Sequence, residues 1–351
     1  MNELLTELLD AARALYSSLP RRAAAFHLIF ASTHRMLKRI LYSLVLLSLA
    51  STSLSFARQS PTAQLPAVEL KELIRRAGLG VSEYKAKFKD LTADEEQKVE
   101  AYDGEGKLKR QRRVVADLVV YQSQLDASMM AEYRNVREVD GVAVAKREER
   151  LLNLFNRLAK TDSVKKELDR ISRESRRYDE RYSFYGLTLN QGLLLDESLR
   201  SSFEFTDAGR ERIDGRDVIV VQYRQVAQSP QLATKLSLPS ELKGAEPSYR
   251  GRLWLDAETA QIRREERELT LGHSAWKRPL IYMRFEFEYA ASNFGILTPQ
   301  RIVWSIYDRG RTGADKLPEL LLGGKVTYQY SSFRRFNVGV PDATLQPPAK
   351  P

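Results

Sequence analysis

Apolar positions along this chain recur with two different periods, and the change between them divides it. From residue 84 to about 140 they alternate. Tyr84, Ala86 and Phe88 form one stripe, and in "RRVVADLVVYQ" Val114, Ala116, Leu118 and Val120 oppose Val115, Val119 and Tyr121, the period-two signature of strands. The Asp103-Gly104 pair between these runs predicts a hairpin turn. "MMAEYRNVREVDGVAV" adds a strand ending at Asp140-Gly141.

The period then lengthens. Between Ala145 and Tyr178 there is no Gly or Pro, and Leu151, Leu152, Leu154, Phe155, Leu158, Val164, Leu168 and Ile171 recur at three and four. This predicts one long helix, or two broken at Thr161-Asp162-Ser163, where Asp162 or Ser163 would cap the second. Strands then return: "FEFTDAGRERIDGRDVIVVQYRQV" with a turn at Asp214-Gly215, "IYMRFEFEYA", "PQRIVWSIYD" and "KVTYQYSSFRRF". Roughly nine or ten consecutive strands and one helical block predict an α+β fold. The expected form is a strongly curved antiparallel sheet, an incomplete β-barrel, with the helical insertion packed on one face.

The ends read differently. Residues 36–57, "MLKRILYSLVLLSLASTSLSFA", place Lys38 and Arg39 before an apolar run and small residues at Ser55 and Ala57, the three parts of a secretory signal. The expectation is cleavage after Ala57 and a periplasmic or secreted protein; the alternative is an uncleaved inner-membrane anchor. Residues 1–35 read as a gene-model extension ahead of a start at Met36. Residues 58–81 read as a leader and a short helix, "AVELKELIRRAGLG", stopped by Gly78 and Gly80. The domain proper is expected at 82–336, with the insertion at 145–180 and a Pro-containing tail at 337–351.

Composition narrows the chemistry. The 351 residues include no cysteine and three histidines, which excludes disulfides, thiolate metal sites and thiol nucleophiles. After the signal only His273 remains, in "LTLGHSAWKRP", and no G-x-S-x-G elbow accompanies it. "DRGRTGAD" lacks the lysine-hydroxyl ending of a phosphate loop. Glu265, Glu266 and Glu268 interleave with Arg263, Arg264 and Arg267, which would hold the acids ionised rather than separate their pKa values. These features argue against an enzyme and call for no cofactor or metal. The net charge of +10 and the run "KLKRQRR" at 107–113 fit an anionic membrane surface better than nucleic acid in an exported chain.

One stretch breaks the alternation. In "YRGRLWLDAETAQIRREEREL", residues 249–269, the first arm alternates normally, but after Ile262 charges fall on both sides of the second. Such a strand is expected to form an exposed rim, with Arg263, Arg264, Glu266 and Glu268 bordering an open cleft.

With Trp254, Asp256 and Thr259 forming W-x-D-x-x-T in "GRLWLDAETAQIRREE", the chain resembles the LolA/LolB-type periplasmic lipoprotein-carrier superfamily. "REVDGVAVAKREERL" and "RERIDGRDVIVVQY" before "GRLWLD" are similar to uncharacterised exported proteins of acidobacterial type. The resemblance covers roughly 82–336 and implies an incomplete barrel curled around a helical lid, with a concave face that holds acyl chains. The function it implies is a non-enzymatic binding module for a lipid, a lipoprotein or another amphiphile, its cavity lined by Trp254, Phe285, Phe287, Trp304 and Tyr328. The alternative is a structural or protein-interaction component of the cell envelope.

Overall fold

The computed structural model describes residues 64–335, except 124, 127, 179–185, 230–231, 233–237, 239–241 and 313–317. The signal segment, the 1–35 extension and the 337–351 tail lie outside the described residues. What is described belongs to one unit, Thr62–Pro351.

The chain opens with helix α1 (Ala67–Phe88). Strands β1 (Leu91–Tyr102), β2 (Leu108–Gln122), β3 (Met130–Val139) and β4 (Val142–Ala143) follow. Then come helices α2 (Arg147–Leu158) and α3 (Val164–Ser175), and two 3-10 turns at Thr188–Asn190 and Leu193–Leu195 lead to the short α4 (Glu197–Arg200). The second run of strands is β5 (Phe203–Ile213), β6 (Arg216–Gln225), β7 (Glu246–Asp256), β8 (Ile262–Gly272), β9 (Leu280–Ala291) and β10 (Leu297–Ile306). A ribbon of β11 (Arg309–Thr312) and β12 (Pro318–Leu321) precedes β13 (Gly324–Arg335).

One antiparallel sheet of 11 strands runs in the order β4-β3-β2-β1-β13-β10-β9-β8-β7-β6-β5. The α+β expectation holds, with an open sheet that does not close on itself and one or two more strands than the pattern gave. Sequential hairpins build each half, and β13 returns to join β1 to β10. The Asp140-Gly141 and Asp214-Gly215 turns adopt positive φ at both residues, 51° and 82°, and 50° and 76°. That is the mirror-image turn whose twist suits a two-residue hairpin.

Residues paired across an antiparallel ladder point to one face, so the registers sort the side chains. One row runs Phe205, Tyr223, Gly251, Arg267, Phe285, Trp304, Val326 and Val99. A second runs Leu253, Glu265, Phe287, Ile302, Tyr328 and Gln97. These rows face α1, whose Leu73, Ile74, Ala77, Val81, Tyr84 and Phe88 are buried in the same core. The opposite, outer face is covered near β2 and β3 by the helical insertion, through Leu154, Leu158 and Ile171 against Tyr121, Ala131 and Tyr133. The insertion is two helices broken at residues 159–163, the second of the two forms its sequence allowed.

Helix α1 departs from expectation: it runs through both glycines and takes Tyr84 and Phe88 out of the predicted strand. Its buried stripe continues at three-to-four spacing past Gly80, and that burial outweighs the roughly 1 kcal/mol helix penalty of each glycine. Gly78 also has a task. A Cβ there would lie 2.8 Å from the carbonyl oxygen of Leu195, so only glycine lets the helix approach the 3-10 turn this closely.

Candidate functional site

Between α1 and the sheet lies an irregular segment, residues 186–200, with Leu187, Thr188, Gln191, Leu194, Leu195 and Leu199 all buried. A buried irregular segment needs partners for its backbone polar groups, since neither a ladder nor water supplies them. Two carboxylates of the sheet do so. On β3, Glu132 accepts from the N–H of Gly186 at 3.0 Å, from the N–H of Thr188 at 2.6 Å and from its hydroxyl at 2.6 Å. On β8, Glu265 accepts from the N–H of Gly192 at 3.0 Å, and Arg267 donates to the carbonyl of Asn190 at 2.9 Å. The Tyr84 hydroxyl of α1 donates to the Thr188 carbonyl at 2.8 Å.

Each carboxylate is neutralised by an arginine two residues along its own strand, hence on the same face. Arg134 bonds Glu132 at 2.9 Å and Glu95 at 2.6 Å, and its guanidinium lies 5.4 Å from the Tyr328 ring centroid. Arg267 bonds Glu265 at 2.5 Å and lies 5.2 Å from the Phe287 ring. A buried ion pair is costly unless its remaining polar atoms find partners; the segment's backbone supplies them to Glu132 and Glu265, while Glu95 Oε2 has no hydrogen-bond partner. Burial first, and then the neighbouring Glu265 charge, push the Tyr223 and Tyr289 hydroxyls well above their usual range, so both rings stay neutral.

This corrects the reading of β8 as an exposed rim. Glu265 is 0% exposed, Arg267 5% and Arg263 8%, because β8 is an interior strand between β7 and β9 and carries the covering segment on its inner face. Arg264, Glu266 and Glu268 do lie on the outer face, half-buried in ladders of opposite charge: Arg252–Glu266 at 2.6 Å, Arg250–Glu268 at 2.8 Å and Arg284–Glu268 at 2.6 Å. Cross-strand pairing explains the charge on both sides. Of the cations of 107–113, Arg113 is partnered by Glu96 and Glu138, Arg112 by Asp140 and Lys107 by Glu105.

The five aromatic residues expected to line one cavity do not share a face. Phe285, Phe287, Trp304 and Tyr328 stand together on the α1 face, buried beneath the helix and the segment. Trp254 stands on the other, paired with Arg264, because side chains alternate along β7 and its neighbours Leu253 and Leu255 face α1. Its ring lies between the guanidinium groups of Arg252 and Arg264, at 4.9 and 4.7 Å, and its indole N–H donates to Glu211 at 2.8 Å. The other motif residues shape the turn. Asp256 accepts from the N–H groups of Glu258 and Thr259 at 3.1 and 3.0 Å and from Arg263 at 2.8 Å.

Between α1 and the sheet, a void beside Val81, Tyr84, Gln191 and Ile262 has a volume of only about 10 Å³. A much roomier apolar hollow lies where α1 meets edge strand β5. This groove, about 770 Å³, is lined by Val68, Leu70 and Ile74 of α1 and by Phe203 and Phe205 of β5. Lys71, Arg75, Glu72, Glu197 and Arg200 stand around them. Sequence reasoning missed this place because its walls come from elements far apart in the chain. Each wall was visible alone: Phe203 and Phe205 alternate in "FEF", and Leu70 and Ile74 are four apart.

Among the described residues no group of three or more His, Asp or Glu side chains is placed to hold a metal ion, and no helix is long and apolar enough to cross a membrane.

No protein-family profile matches the chain, and no curated protein does. Solved structures do match over most of its length. A DUF1329 family protein from Desulfovibrio piger is 11% identical, with 78% of this chain and 95% of that one covered at a TM-score of 0.31. A domain assigned to outer membrane lipoprotein sorting, from Vibrio parahaemolyticus, is 10% identical over 77% and 95%, with a TM-score of 0.32. A LolA superfamily protein from Nitrosomonas europaea is 9% identical over 76% and 94%, with a TM-score of 0.29.

Proposed function

We propose that this chain is a non-enzymatic binding module of the cell envelope, periplasmic or secreted, that holds a lipid or another amphiphile. The groove between α1 and β5 is the observation that carries the reading. Its volume of about 770 Å³ falls within the roughly 300–1,000 Å³ of small-molecule sites. Phe203, Phe205, Leu70 and Ile74 give it an apolar wall, and Val68, 80% exposed, is a large apolar side chain left facing water. An acyl chain laid there gains about 0.8 kcal/mol per methylene removed from water. About fifteen methylenes, or about 12 kcal/mol, would offset an association cost of about 4 kcal/mol and leave binding near micromolar. This reading puts the ligand at the sheet edge, away from Phe285, Phe287, Trp304 and Tyr328, which are buried in the core.

The packed face between α1 and the sheet favours a second reading, a structural or protein-interaction component of the envelope with no small-molecule ligand. Titration with dansyl-undecanoate separates the two. The first reading expects one probe per chain at micromolar affinity, weakened at least tenfold in Phe205→Asp while far-UV circular dichroism is unchanged. Absence of saturable binding to the wild-type chain overturns it in favour of the second.

A further inference from the structure

We infer that the groove beside α1 selects amphiphiles with an anionic head group, held by Arg200 and Lys71. The inference rests on the amphiphile reading above and adds the ligand's chemical class.

The charges around the groove are not equivalent. Arg75 is bound to Glu72 on its own helix by two hydrogen bonds, at 2.6 and 2.7 Å, which leaves little of either charge for a ligand. Arg200 is half-buried at the end of α4 and has no carboxylate within ion-pair distance among the described residues. Two other half-buried arginines each contact a carboxylate, Arg210 on Asp207 at 2.8 Å and Arg284 on Glu268 at 2.6 Å. The Asp196 carboxyl is lowered first by its bonds to Ser198 and less by Arg200, which it meets only from beyond ion-pair distance, and a guanidinium partly out of water with no carboxylate in contact is costly. An anion arriving there recovers that cost through two parallel N–H bonds.

Two further points place the head group. The Arg200 side chain is held against α1: a Cβ at Gly78 would come within 3.3 Å of its Nη1, so the helix carries glycine where the guanidinium passes. The nearest capping acid is already engaged, since Asp196 accepts from the N–H and the hydroxyl of Ser198 at 3.0 and 2.6 Å. Lys71, one helical turn before Arg75, supplies a second exposed cation with no ion-pair partner among the described residues. Glu197 is the opposing charge in the lining; it is exposed at the first turn of α4, and the two free cations outnumber it. A tail on Phe203, Phe205 and Leu70 with an acid at Arg200 and Lys71 satisfies both halves of the groove.

The test compares oleate, oleyl alcohol and oleylamine below their aggregation concentrations, with the full exported chain, by competition against dansyl-undecanoate. The expected order is oleate at least tenfold tighter than the alcohol, with the amine weakest. Oleate affinity should fall as salt rises from 20 to 300 mM while the alcohol's does not. In Arg200→Gln/Lys71→Gln, oleate should weaken to the level of the alcohol, and the alcohol should be unchanged. Lys71→Gln alone, at an exposed position, keeps the test valid should the Arg200 change disturb folding; it should cost oleate at least threefold. A dilauroyl phosphatidylglycerol arm distinguishes an acidic phospholipid from a free fatty acid as the source of the anion. Equal binding of acid, alcohol and amine overturns the head-group inference and leaves the amphiphile reading standing. Failure of all three to bind overturns both.

Discussion

The backbone N–H of Gly192 donates to the buried carboxylate of Glu265 at 3.0 Å, so a charged side chain of the sheet holds the main chain of the segment that covers it. Glu132 does the same about five residues earlier in that segment. Each acid is fixed by an arginine on its own strand, and each arginine by an aromatic ring on the same face. The charges inside the sheet therefore supply acceptors for the buried segment's amides at Gly186, Thr188 and Gly192.

Removing one member should cost far more than any surface pair. Glu265→Ala leaves Arg267 buried without its counter-charge and Gly192 without its acceptor, and the expected loss is about 3–5 kcal/mol. Arg252→Ala, which removes a half-exposed pair with Glu266 and one side of the Trp254 sandwich, should cost about 1 kcal/mol. Urea unfolding of the two variants gives the comparison. Equal losses would mean that Glu265 does not hold the segment.

Gly192 and Gly251 are expected to reject alanine for different reasons. Gly192 has φ of +52°, and a Cβ there would meet Ile262 at 2.5 Å and Val81 at 2.6 Å. Gly251 is unstrained, but its Cβ would meet the Tyr223 ring at 2.7 Å and the Glu266 carbonyl oxygen at 2.0 Å. Both substitutions should lower the urea midpoint by the equivalent of about 2 kcal/mol or more. A small-to-large change at exposed Gly104, where nothing lies within 4 Å, should be near neutral.

Two acids make folding pH-dependent. At Asp207 the cost of burial is outweighed by the N–H groups of Leu65 and Gly209 and by Arg210, and the carboxyl is held below its usual range. At Asp256 burial is again outweighed, by Thr259 and Arg263, with the same net direction. A lowered folded value means that the unfolded chain binds protons first. The stabilisation is therefore full above the unfolded pKa of about 3.9 and is lost as pH falls through the lower folded value. Urea midpoints measured from pH 6 to pH 2.5 should drop over that interval, and less steeply in Asp207→Asn and Asp256→Asn than in the wild type. Parallel curves for all three chains would contradict the assignment.

Trp254 is expected to matter for stability alone. Its ring is packed on the outer face with Val218 and Val220, across the sheet from α1. Trp254→Leu should lower stability by about 2–4 kcal/mol and leave dansyl-undecanoate affinity within twofold of wild type. A tenfold change in affinity at full folding would return Trp254 to the ligand site.

The sequence by itself determined the elements, their order and the class of fold. Period-two alternation identified most of the hairpins, the Asp-Gly pairs their turns, and three-to-four spacing the insertion; these are local rules, readable without a partner. It also excluded thiol chemistry outright. Only the tertiary structure decided which face is covered: alternation sets Trp254 opposite Leu253, and the packing of α1 on the Leu253 side leaves Trp254 outside while Phe285 and Phe287 stay inside. It also decided that Glu265 and Arg267 are buried. Their alternation reads as a solvated strand until residues 186–192, more than 70 positions away, are seen to need acceptors for their amides. The charged arm after Ile262 is thus an interior strand whose polar side chains serve the backbone of another segment, a long-range relation that no local pattern encodes.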